Sequence, residues 1–402
     1  MTLKIALLPG DGVGPEVLAQ AVKCLKAVEE TFNQHFIFKE APVGAIAMDK
    51  TGVPLPDTTL TLCKESDAVL FGAIGDPKYD NDPDAKVRPE QGLLQLRKEL
   101  GLFANIRPVL SHPTLLDKSP LKKEVISGTD FVIYRELTGG IYFGEKKLNP
   151  EGTIASDLCE YSENEISRIA HLAFKAAKGR KKKLTLVDKA NVLESSRLWR
   201  KVVTKIGESY PEVALDFLFV DNAAMQIILN PKQFDVVLTE NMFGDILSDE
   251  GSVIGGSIGL LASASIGEEN ALFEPIHGSY PQAKGKDIAN PIASILSVAM
   301  LLEHFGLAEE AWAVKKAVDK SLKKGIVTLD LKENSQYGTN QVGDFIAHNI
   351  VDIEDDFIMK FKNVKDGGGQ YYTQYRGEYD KFINENSRMK SGLSEDLMRS
   401  TL

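Results

Sequence analysis

Short apolar runs alternate with stretches of helical periodicity along the first 350 residues. Lys4–Leu8 is mainly apolar, which is typical of a buried strand. From Pro15 to Glu30, apolar side chains recur every three or four residues, which predicts a helix. The same patterns predict strands at Ala68–Phe71, Phe131–Tyr134, Leu184–Val187, Leu215–Val220 and Phe234–Leu238, and helices at Glu163–Lys178 and Ser195–Ser209. The alternation indicates an α/β fold with a largely parallel sheet, in which sites gather beyond the carboxyl ends of the strands.

Composition and charge narrow the class of protein. The chain has 402 residues and a formal net charge of −10, and an acidic protein repels nucleic-acid phosphates. Three widely spaced cysteines do not make a disulfide framework, and they suit a reducing compartment. The longest mainly apolar stretch, from Pro291 to Leu302, is shorter than the ~20 residues that span a bilayer. We therefore expect a cytoplasmic protein that binds neither nucleic acid nor a membrane.

Two segments are predicted to be peripheral. Arg180 to Lys183 is a run of four basic residues after a predicted helix, and it indicates a solvated helix end. The tail from about Asp352 contains Gly367–Gly369 and a tyrosine cluster, and 353–402 is interpreted as a C-terminal extension of unknown role.

A glycine-rich segment, Gly10–Glu16, lies between the first predicted strand and the first predicted helix. It looks like a nucleotide-binding loop, but Pro15 stands where the dinucleotide fingerprint has a glycine, and the P-loop lysine is missing. A tight turn with positive φ also explains the glycines. Of these two interpretations, the turn is favoured.

Asp245 and Asp249 are four residues apart, which places both carboxylates on one face of a helix. Like charges there repel each other unless a cation compensates, and Mg²⁺ or Mn²⁺ prefers oxygen ligands of this kind. A solvated acidic helix face is the alternative. The apolar neighbours Ile246 and Leu247 indicate a buried setting, which favours the metal.

Three arginines lie in partly apolar contexts, namely Arg97, Arg107 and Arg135. A guanidinium binds a carboxylate in bidentate fashion, so the three together suit a dicarboxylate substrate. For each arginine taken alone, an ordinary ion pair is the better explanation.

Lys189 and Asp221 each follow an apolar strand, and Tyr142 lies among glycines. A lysine with desolvating neighbours can act as a base, whereas a surface lysine after a strand is the alternative. For Tyr142 the alternative is a packed aromatic in a hairpin-like turn.

Taken together, several stretches resemble the β-decarboxylating dehydrogenases, a family that comprises isopropylmalate, isocitrate, homoisocitrate and tartrate dehydrogenases. They are Leu8–Glu16, Arg135–Gly144, Val187–Leu193, Asn241–Asp249, and Glu274–Ser279 with Ile288–Pro291. The resemblance runs from about residue 3 to 350. It implies an open α/β sandwich of two interleaved domains, not a nucleotide-binding Rossmann fold. Residues 1–102 with 255–352 would form the cofactor-side domain, and 103–254 the domain for substrate and dimer contacts.

The resemblance also implies roles for the charged residues. The substrate carboxylates would be bound by Arg97, Arg107 and Arg135. The metal would be held by Asp245, Asp249 and, from the partner subunit of a homodimer, Asp221, which also meets the substrate. Lys189, likewise from the partner, would act as or relay to the general base, and Tyr142 would help deliver a proton after decarboxylation.

Within the family, Leu93 and Leu94 indicate the isopropylmalate branch. They occupy the positions that meet the variable group of the substrate, and leucines suit an isopropyl group rather than a third carboxylate. Val192 would complete this apolar pocket.

The cofactor would lie along one segment, through Glu274, His277, Gly278, Ser279, Gln282 and Asn290, with Glu90 near the nicotinamide end. NAD-specific members usually carry an aspartate at the position of Gln282, so this glutamine is a departure. The lysine–tyrosine pair of NADP-dependent members is also missing, since Ala283 follows. We expect NAD as the cofactor.

The expected activity is therefore NAD-dependent oxidative decarboxylation of the isopropylmalate type. One alternative is a sibling enzyme that acts on tartrate, malate or homoisocitrate. A second is a non-catalytic regulatory subunit, which the full set of charged residues argues against because such subunits typically lose them. A third is an interaction protein that uses its tyrosine-rich tail.

Overall fold

The structure, a computed structural model, describes residues 1–80 and 87–351. The predicted extension at 353–402 lies outside the described residues. No described helix is both long enough and apolar enough to cross a bilayer.

Strands and helices alternate along the described chain. The strands are β1 Thr2–Gly10, β2 His35–Glu40, β3 Ala68–Ala73, β4 Ala104–Leu110, β5 Asp130–Glu136, β6 Lys146–Leu148, β7 Ala155–Asp157, β8 Lys183–Asp188, β9 Ala214–Phe219, β10 Val236–Thr239, β11 Ala262–Ile266 and β12 Ala271–Pro275. The helices are α1 Gly14–Phe32, α2 Ala45–Thr51, α3 Asp57–Lys64, α4 Pro77–Asp80, α5 Pro89–Glu99, α6 Lys123–Ile126, α7 Glu163–Lys178, α8 Glu194–Gly207, α9 Val220–Leu229, α10 Asn241–Gly255, α11 Ile292–His304, α12 Ala308–Lys324 and α13 Thr339–Val351.

Each strand and helix predicted from the sequence is present, and Glu163–Lys178 matches α7 end to end. One boundary was wrong in a way that matters for the site. The predicted strand Leu215–Val220 ends at Phe219, and Val220 begins α9. Asp221 therefore lies in the first turn of a helix and does not end a strand.

Ten of the described strands form one sheet, in the order β2-β1-β3-β12-β11-β4-β5-β10-β8-β9. One parallel block contains β2, β1, β3 and β12, and the other contains β5, β10, β8 and β9. Between the blocks, β11 and β4 pair antiparallel with each other and with their outer neighbours. The two blocks therefore run in opposite directions, and their carboxyl ends lie at opposite edges of the sheet.

The first block is built from both ends of the described chain, which agrees with the predicted interleaved α/β fold. The residue bounds of the two domains stay a prediction.

Helices cover both faces of β5, because alternate side chains of a strand point to opposite faces. Val132 and Tyr134 belong to the large core that also contains Ile166 of α7. Phe131 and Ile133 belong to a separate core with Leu247 of α10. The side of β5 that carries Phe131 and Ile133 therefore faces α10.

The basic run that starts at Arg180 is not a solvated helix end, as the sequence suggested. α7 already ends at Lys178, and the Arg180 side chain is only 3% exposed. Its guanidinium donates to Asp235 at 2.7 Å and to Asp130 at 3.1 Å. This buried ion pair ties the start of β8 to its neighbours in the sheet.

Candidate active site

The sheet places two predicted arginines on the face that α10 covers. Arg135 continues the alternation of Phe131 and Ile133, so its side chain leaves β5 on that face. Arg107 lies two residues before Val109, which belongs to the same core. Because β4 and β5 are paired, with Arg107 opposite Ile133, the two guanidiniums start from neighbouring strands.

Helix α10 presents polar side chains to Arg135. The Nε and Nη2 groups of Arg135 donate to Asn241 Oδ1 at 3.0 and 2.8 Å. Its Nη1 group forms a short ion pair with Asp245. This approach requires glycine at position 244, because a Cβ there would lie 2.6 Å from Arg135 Cγ.

Arg107 contacts the next turn of α10. It donates to the Ser248 hydroxyl at 2.6 Å, and its Nη1 lies 3.4 Å from a carboxylate oxygen of Asp249. Its Nε donates to Asn105 Oδ1 at 2.7 Å. The predicted pair Asp245 and Asp249 is thus brought together with two of the three predicted arginines.

Both guanidiniums are buried, and this sets their electrostatics. Burial, with a further contribution from the positive charge of Arg107, lowers the pKa of Arg135 to about 10. Burial also lowers the pKa of Arg107. Arg135 still remains charged at neutral pH, and two buried cations side by side favour the binding of anions.

Tyr142 joins the same cluster from the turn Gly140–Tyr142 after β5. Its hydroxyl donates to Asp245 Oδ2 at 2.9 Å, and its ring lies 5.8 Å from the Arg135 guanidinium. Burial raises the pKa of Tyr142, and the hydrogen bond to Asp245 raises it further. The phenol therefore carries its proton at neutral pH.

The expectation that Asp245 and Asp249 lie in a buried setting is wrong for the single chain. Their side chains are 36% and 66% exposed, and Ile246 between them is 57% exposed. Among the described residues, no three His, Cys, Asp or Glu side chains converge as a metal site. Two carboxylates on one helix face fit a hard divalent cation, which takes its other oxygens from elsewhere.

Lys189 and Asp221 form a second, separate cluster. Lys189 follows β8, and its Nζ lies 2.6 Å from Asp221 Oδ1. The hydrogen bond from Lys189 lowers the pKa of Asp221. Within the described residues, no hydrogen bond or ion pair joins this pair to Arg135 or Asp245. Val192 belongs to the Lys189 turn, where its backbone N–H donates to Lys189 O at 2.9 Å, and its side chain is 61% exposed.

Helix α5 carries the residues predicted to meet the variable group of the substrate. Leu93 packs partly against the core, and Leu94 is 39% exposed. Arg97 follows one turn later on the same helix. It donates to Glu274 at 2.8 Å, and the two side chains are only 12% and 8% exposed. A predicted substrate ligand is therefore paired with a predicted cofactor ligand.

The predicted cofactor segment follows β12 and packs against the glycine-rich loop. Val13 N donates to Ser279 O at 2.8 Å, and a Cβ at Gly12 would lie 1.9 Å from that oxygen. Gly10 and Gly12 have φ values of +68° and +57°, which confirms the tight turn. By contrast, a Cβ at Gly278 would meet no atom within 4 Å, so the backbone there is open.

The side chains of this segment differ in how much of their hydrogen bonding is satisfied. His277 Nε2 is a buried atom without a hydrogen-bond partner among the described residues, and Gln282 is exposed. Asn290, in contrast, donates to Asp330 at 3.0 Å and accepts from Ile292 N. Glu90 lies against Gly75, whose added Cβ would be 2.7 Å from Glu90 Oε1. An unpartnered imidazole and an open glycine backbone fit a polar cofactor.

Asn241 and Ser248 are site residues that the sequence reasoning missed. The spacing in the sequence could have identified Asn241, because it lies four residues before Asp245 and therefore shares its helix face. Ser248 lies three residues after Asp245, and its hydroxyl donates to Asp245 O at 3.0 Å.

Comparison with known proteins identifies the family of the chain. The family model described as isocitrate/isopropylmalate dehydrogenase matches residues 4–346. The chain belongs to this family. Its relatives include a 3-isopropylmalate dehydrogenase of Bacteroides fragilis, which is 55% identical over 352 residues, or 87% of this chain and 99% of the relative. A 3-isopropylmalate dehydrogenase of Bacillus subtilis is 54% identical over 347 residues, or 85% of this chain and 95% of the relative.

Solved structures place the fold within the isocitrate/isopropylmalate dehydrogenase family as well. An isocitrate dehydrogenase from Methylococcus capsulatus has a TM-score of 0.77 at 34% identity and covers 87% of this chain and 99% of its own. A β-decarboxylating dehydrogenase from Thermococcus kodakarensis has a TM-score of 0.72 at 36% identity and covers 87% of this chain and 96% of its own. The protein is thus an oxidoreductase of the isocitrate/isopropylmalate dehydrogenase type.

Proposed function

We propose that the protein catalyses the NAD-dependent oxidative decarboxylation of 3-isopropylmalate to 4-methyl-2-oxopentanoate and CO₂, in cytoplasmic leucine biosynthesis. The observation that carries the proposal is the buried pair Arg107 and Arg135 facing the acidic face of α10. Relatives with about half of their residues identical are named for this substrate.

The arginines of this chain bind the substrate carboxylates. In the structure, Arg97 pairs with Glu274 and Arg135 pairs with Asp245. A dicarboxylate and a divalent cation can replace these pairs together, because the cation compensates the aspartates that the arginines release. Leu94, one turn before Arg97, gives the isopropyl group an apolar contact that a third carboxylate would not find.

Asp245 and Asp249 would hold Mg²⁺ or Mn²⁺, together with the partner's Asp221. The bound metal supplies a Lewis acid that lowers the pKa of the substrate hydroxyl. Lys189 accepts or relays the proton that leaves this hydroxyl. Tyr142 keeps its proton at neutral pH and is placed beside Asp245, so it can donate that proton to the carbon left by CO₂.

We propose that the active site is shared between two subunits of a homodimer. Lys189, Asp221 and Val192 are close to one another in one cluster, and the arginines and Asp245 form another. Within the part of the chain that the structure describes, no third His, Cys, Asp or Glu side chain joins Asp245 and Asp249 as a metal ligand. A second subunit that presents its Lys189 cluster would complete the set.

The segment from Glu274 to Asn290 would hold NAD, which supplies the hydride acceptor. Gln282 is exposed and able to hydrogen-bond a ribose hydroxyl. It repels a 2′-phosphate less than an aspartate does, so Gln282→Asp should sharpen the preference for NAD over NADP.

The experiment that tests the proposal is steady-state turnover with 3-isopropylmalate, isocitrate, malate, tartrate and homoisocitrate, each with NAD and NADP and with Mg²⁺ present. The highest kcat/KM is expected for 3-isopropylmalate with NAD. A higher value for another hydroxy acid would assign the protein to a sibling activity, and no turnover with any of them would favour a regulatory subunit.

A further inference from the structure

Asn241 holds the Arg135 guanidinium in one orientation. Its side-chain oxygen accepts two hydrogen bonds from Arg135, which leaves Nη1 directed at Asp245. Its side-chain nitrogen donates to Gly139 O at 3.2 Å, in the turn that leads to Tyr142. A single amide thus connects the arginine with the turn that carries the tyrosine.

Tyr161 contacts the backbone of the same asparagine. Its hydroxyl accepts a hydrogen bond from the Asn241 backbone N–H at 3.0 Å, at the first residue of α10. The ring is nearly buried, at 7% exposure, and it meets Trp199 edge-on with centroids 5.4 Å apart. A phenol held in this way fixes where α10 begins.

The same phenol also shapes the turn before Tyr142. A Cβ added at Gly140 would lie 2.2 Å from the Tyr161 hydroxyl oxygen, and one at Gly139 would lie 2.9 Å from its ring. Gly140 has a φ of +73°, so the backbone is both left-handed and in close contact with the ring. The Tyr161 hydroxyl therefore lies close to two segments that carry site residues. One is the start of α10, which leads to Asp245, and the other is the turn that carries Tyr142.

Burial raises the pKa of Tyr161, and the nearby carboxylates of Glu240 and Glu136 raise it further. The phenol stays neutral throughout the pH range of an assay. Its effect on Arg135 is therefore expected to be independent of pH.

We propose that Tyr161 is a positioning residue, which acts through Asn241 to hold Arg135 in the orientation that binds a substrate carboxylate. This inference rests on the proposed use of Arg135 as a substrate ligand. According to this inference, the buried phenol of Tyr161 affects substrate affinity without contacting the substrate.

The test is a double-mutant cycle with Tyr161→Phe and Asn241→Ala, measured as KM for 3-isopropylmalate. Loss of one hydrogen bond in Tyr161→Phe should raise this KM roughly five- to tenfold and leave the KM for NAD unchanged. In the Asn241→Ala background, Tyr161→Phe should raise it no further, because the side-chain amide that contacts Arg135 is gone, even though the backbone N–H that binds Tyr161 remains. Tyr134→Phe is the matched control, since this buried phenol makes no hydrogen bond within the described residues.

A merely structural role predicts a different result. In that case Tyr161→Phe lowers the melting temperature and leaves the KM for 3-isopropylmalate as in the wild type. Alternatively, the fold-increases in KM that Tyr161→Phe and Asn241→Ala cause singly multiply in the double variant. Either outcome would overturn the inference. The thermal shift that saturating 3-isopropylmalate and Mg²⁺ produce is a second readout without turnover, and it should be smaller in Tyr161→Phe than in Tyr134→Phe.

Arg135→Ala separates this inference from the proposed function. If Arg135→Ala leaves the KM unchanged, the proposed substrate role of Arg135 is wrong. If it raises the KM while Tyr161→Phe does not, only the positioning role is wrong.

Discussion

Lys189 and Asp221 hold each other in an ion pair of 2.6 Å, although both are proposed to serve an active site whose arginines lie elsewhere. Asp221 is 66% exposed and Lys189 26% exposed, so the pair lies at the surface of the single chain. The two residues come from the end of β8 and the start of α9, which are neighbours through the pairing of β8 with β9. The two side chains are thus exposed together on one surface, where a second subunit could contact both.

This relationship predicts complementation between two inactive variants. Arg97→Ala loses a bidentate carboxylate ligand, and Lys189→Ala loses the proposed base, so each should be nearly inactive alone. In a mixed dimer with shared sites, one site carries both lesions and the other carries neither. Mixing equal amounts under conditions that exchange subunits should restore about a quarter of wild-type turnover.

Heterodimer formation must be measured independently, for example with mass-tagged subunits. If heterodimers form and turnover does not return, the active site is built within one chain and the shared-site proposal is wrong.

Activity should depend on a divalent cation, because Asp245 and Asp249 share one helix face. Excess EDTA should abolish turnover, and Mg²⁺ or Mn²⁺ should restore it. Asp249→Asn should raise the Mg²⁺ concentration needed for half-maximal activity by about tenfold or more, since a ligand charge is lost. Asp216→Asn, at an exposed aspartate on β9, is the control. Full activity in metal-free enzyme would contradict the assignment.

Leu94 should discriminate between substrates. Leu94→Asn is expected to lower kcat/KM for 3-isopropylmalate. The loss should correspond to roughly 1–3 kcal/mol of transition-state stabilisation, the value of one apolar contact, and malate should be affected less. Leu93→Asn should act in the same direction, with an added loss of stability because Leu93 packs partly on the core. Val53→Asn, at an exposed apolar residue outside the site, should change neither substrate. Equal losses of kcat/KM for both substrates would contradict the assignment of Leu94 to the substrate pocket.

Glu240 should make folding stability depend on pH. This carboxyl is 4% exposed, its Oε2 has no hydrogen-bond partner in the described chain, and burial raises its pKa from 4.5 to about 7. The unfolded chain then loses the proton at lower pH than the folded protein does. The contribution of Glu240 to the free energy of unfolding should therefore fall as pH rises from about 4.5 to 7, by roughly 3 kcal/mol, and then level off.

Glu240→Gln removes this titration and keeps the shape of the side chain. Relative to the wild type, the variant should gain stability between pH 5 and pH 8 in urea unfolding. Glu124→Gln, at an exposed carboxyl, should show no such trend. A wild-type-minus-variant difference that is constant with pH would mean that Glu240 is ionised throughout.

Periodicity predicted much of the fold and the spacing of the acidic pair. Four-residue spacing does place Asp245 and Asp249 on one helix face, and glycine at 244 does adjoin packed structure. The expectation that the site lies beyond the carboxyl ends of parallel strands was less accurate. Arg107 lies in the middle of β4, at the antiparallel junction between two blocks whose carboxyl ends point to opposite edges. A reversal of strand direction leaves no local mark in the sequence.

Burial was the other property that local patterns could not supply. Ile246 is apolar yet more than half exposed, so it does not bury the carboxylates beside it in the single chain. Arg180 lies in a run of basic residues yet is buried, because Asp130 and Asp235 reach it from other parts of the sheet. Both errors arise from contacts between segments that are distant along the chain.

The antiparallel pair β4 and β11 has a consequence for recombination between relatives. The chain enters the second parallel block along β4 and returns along β11, and Ala104 at the start is paired with Ile266 at the end. Phe103 N donates to Ile266 O at 3.0 Å, so the two crossing points are hydrogen-bonded to each other. The segment 104–266, which carries Arg107, Arg135, Tyr142, Lys189, Asp221, Asp245 and Asp249, is therefore a cassette with adjacent ends. We expect that it could be exchanged as a unit between homologues, with α5, Arg97 and the Glu274 to Asn290 segment staying with the recipient.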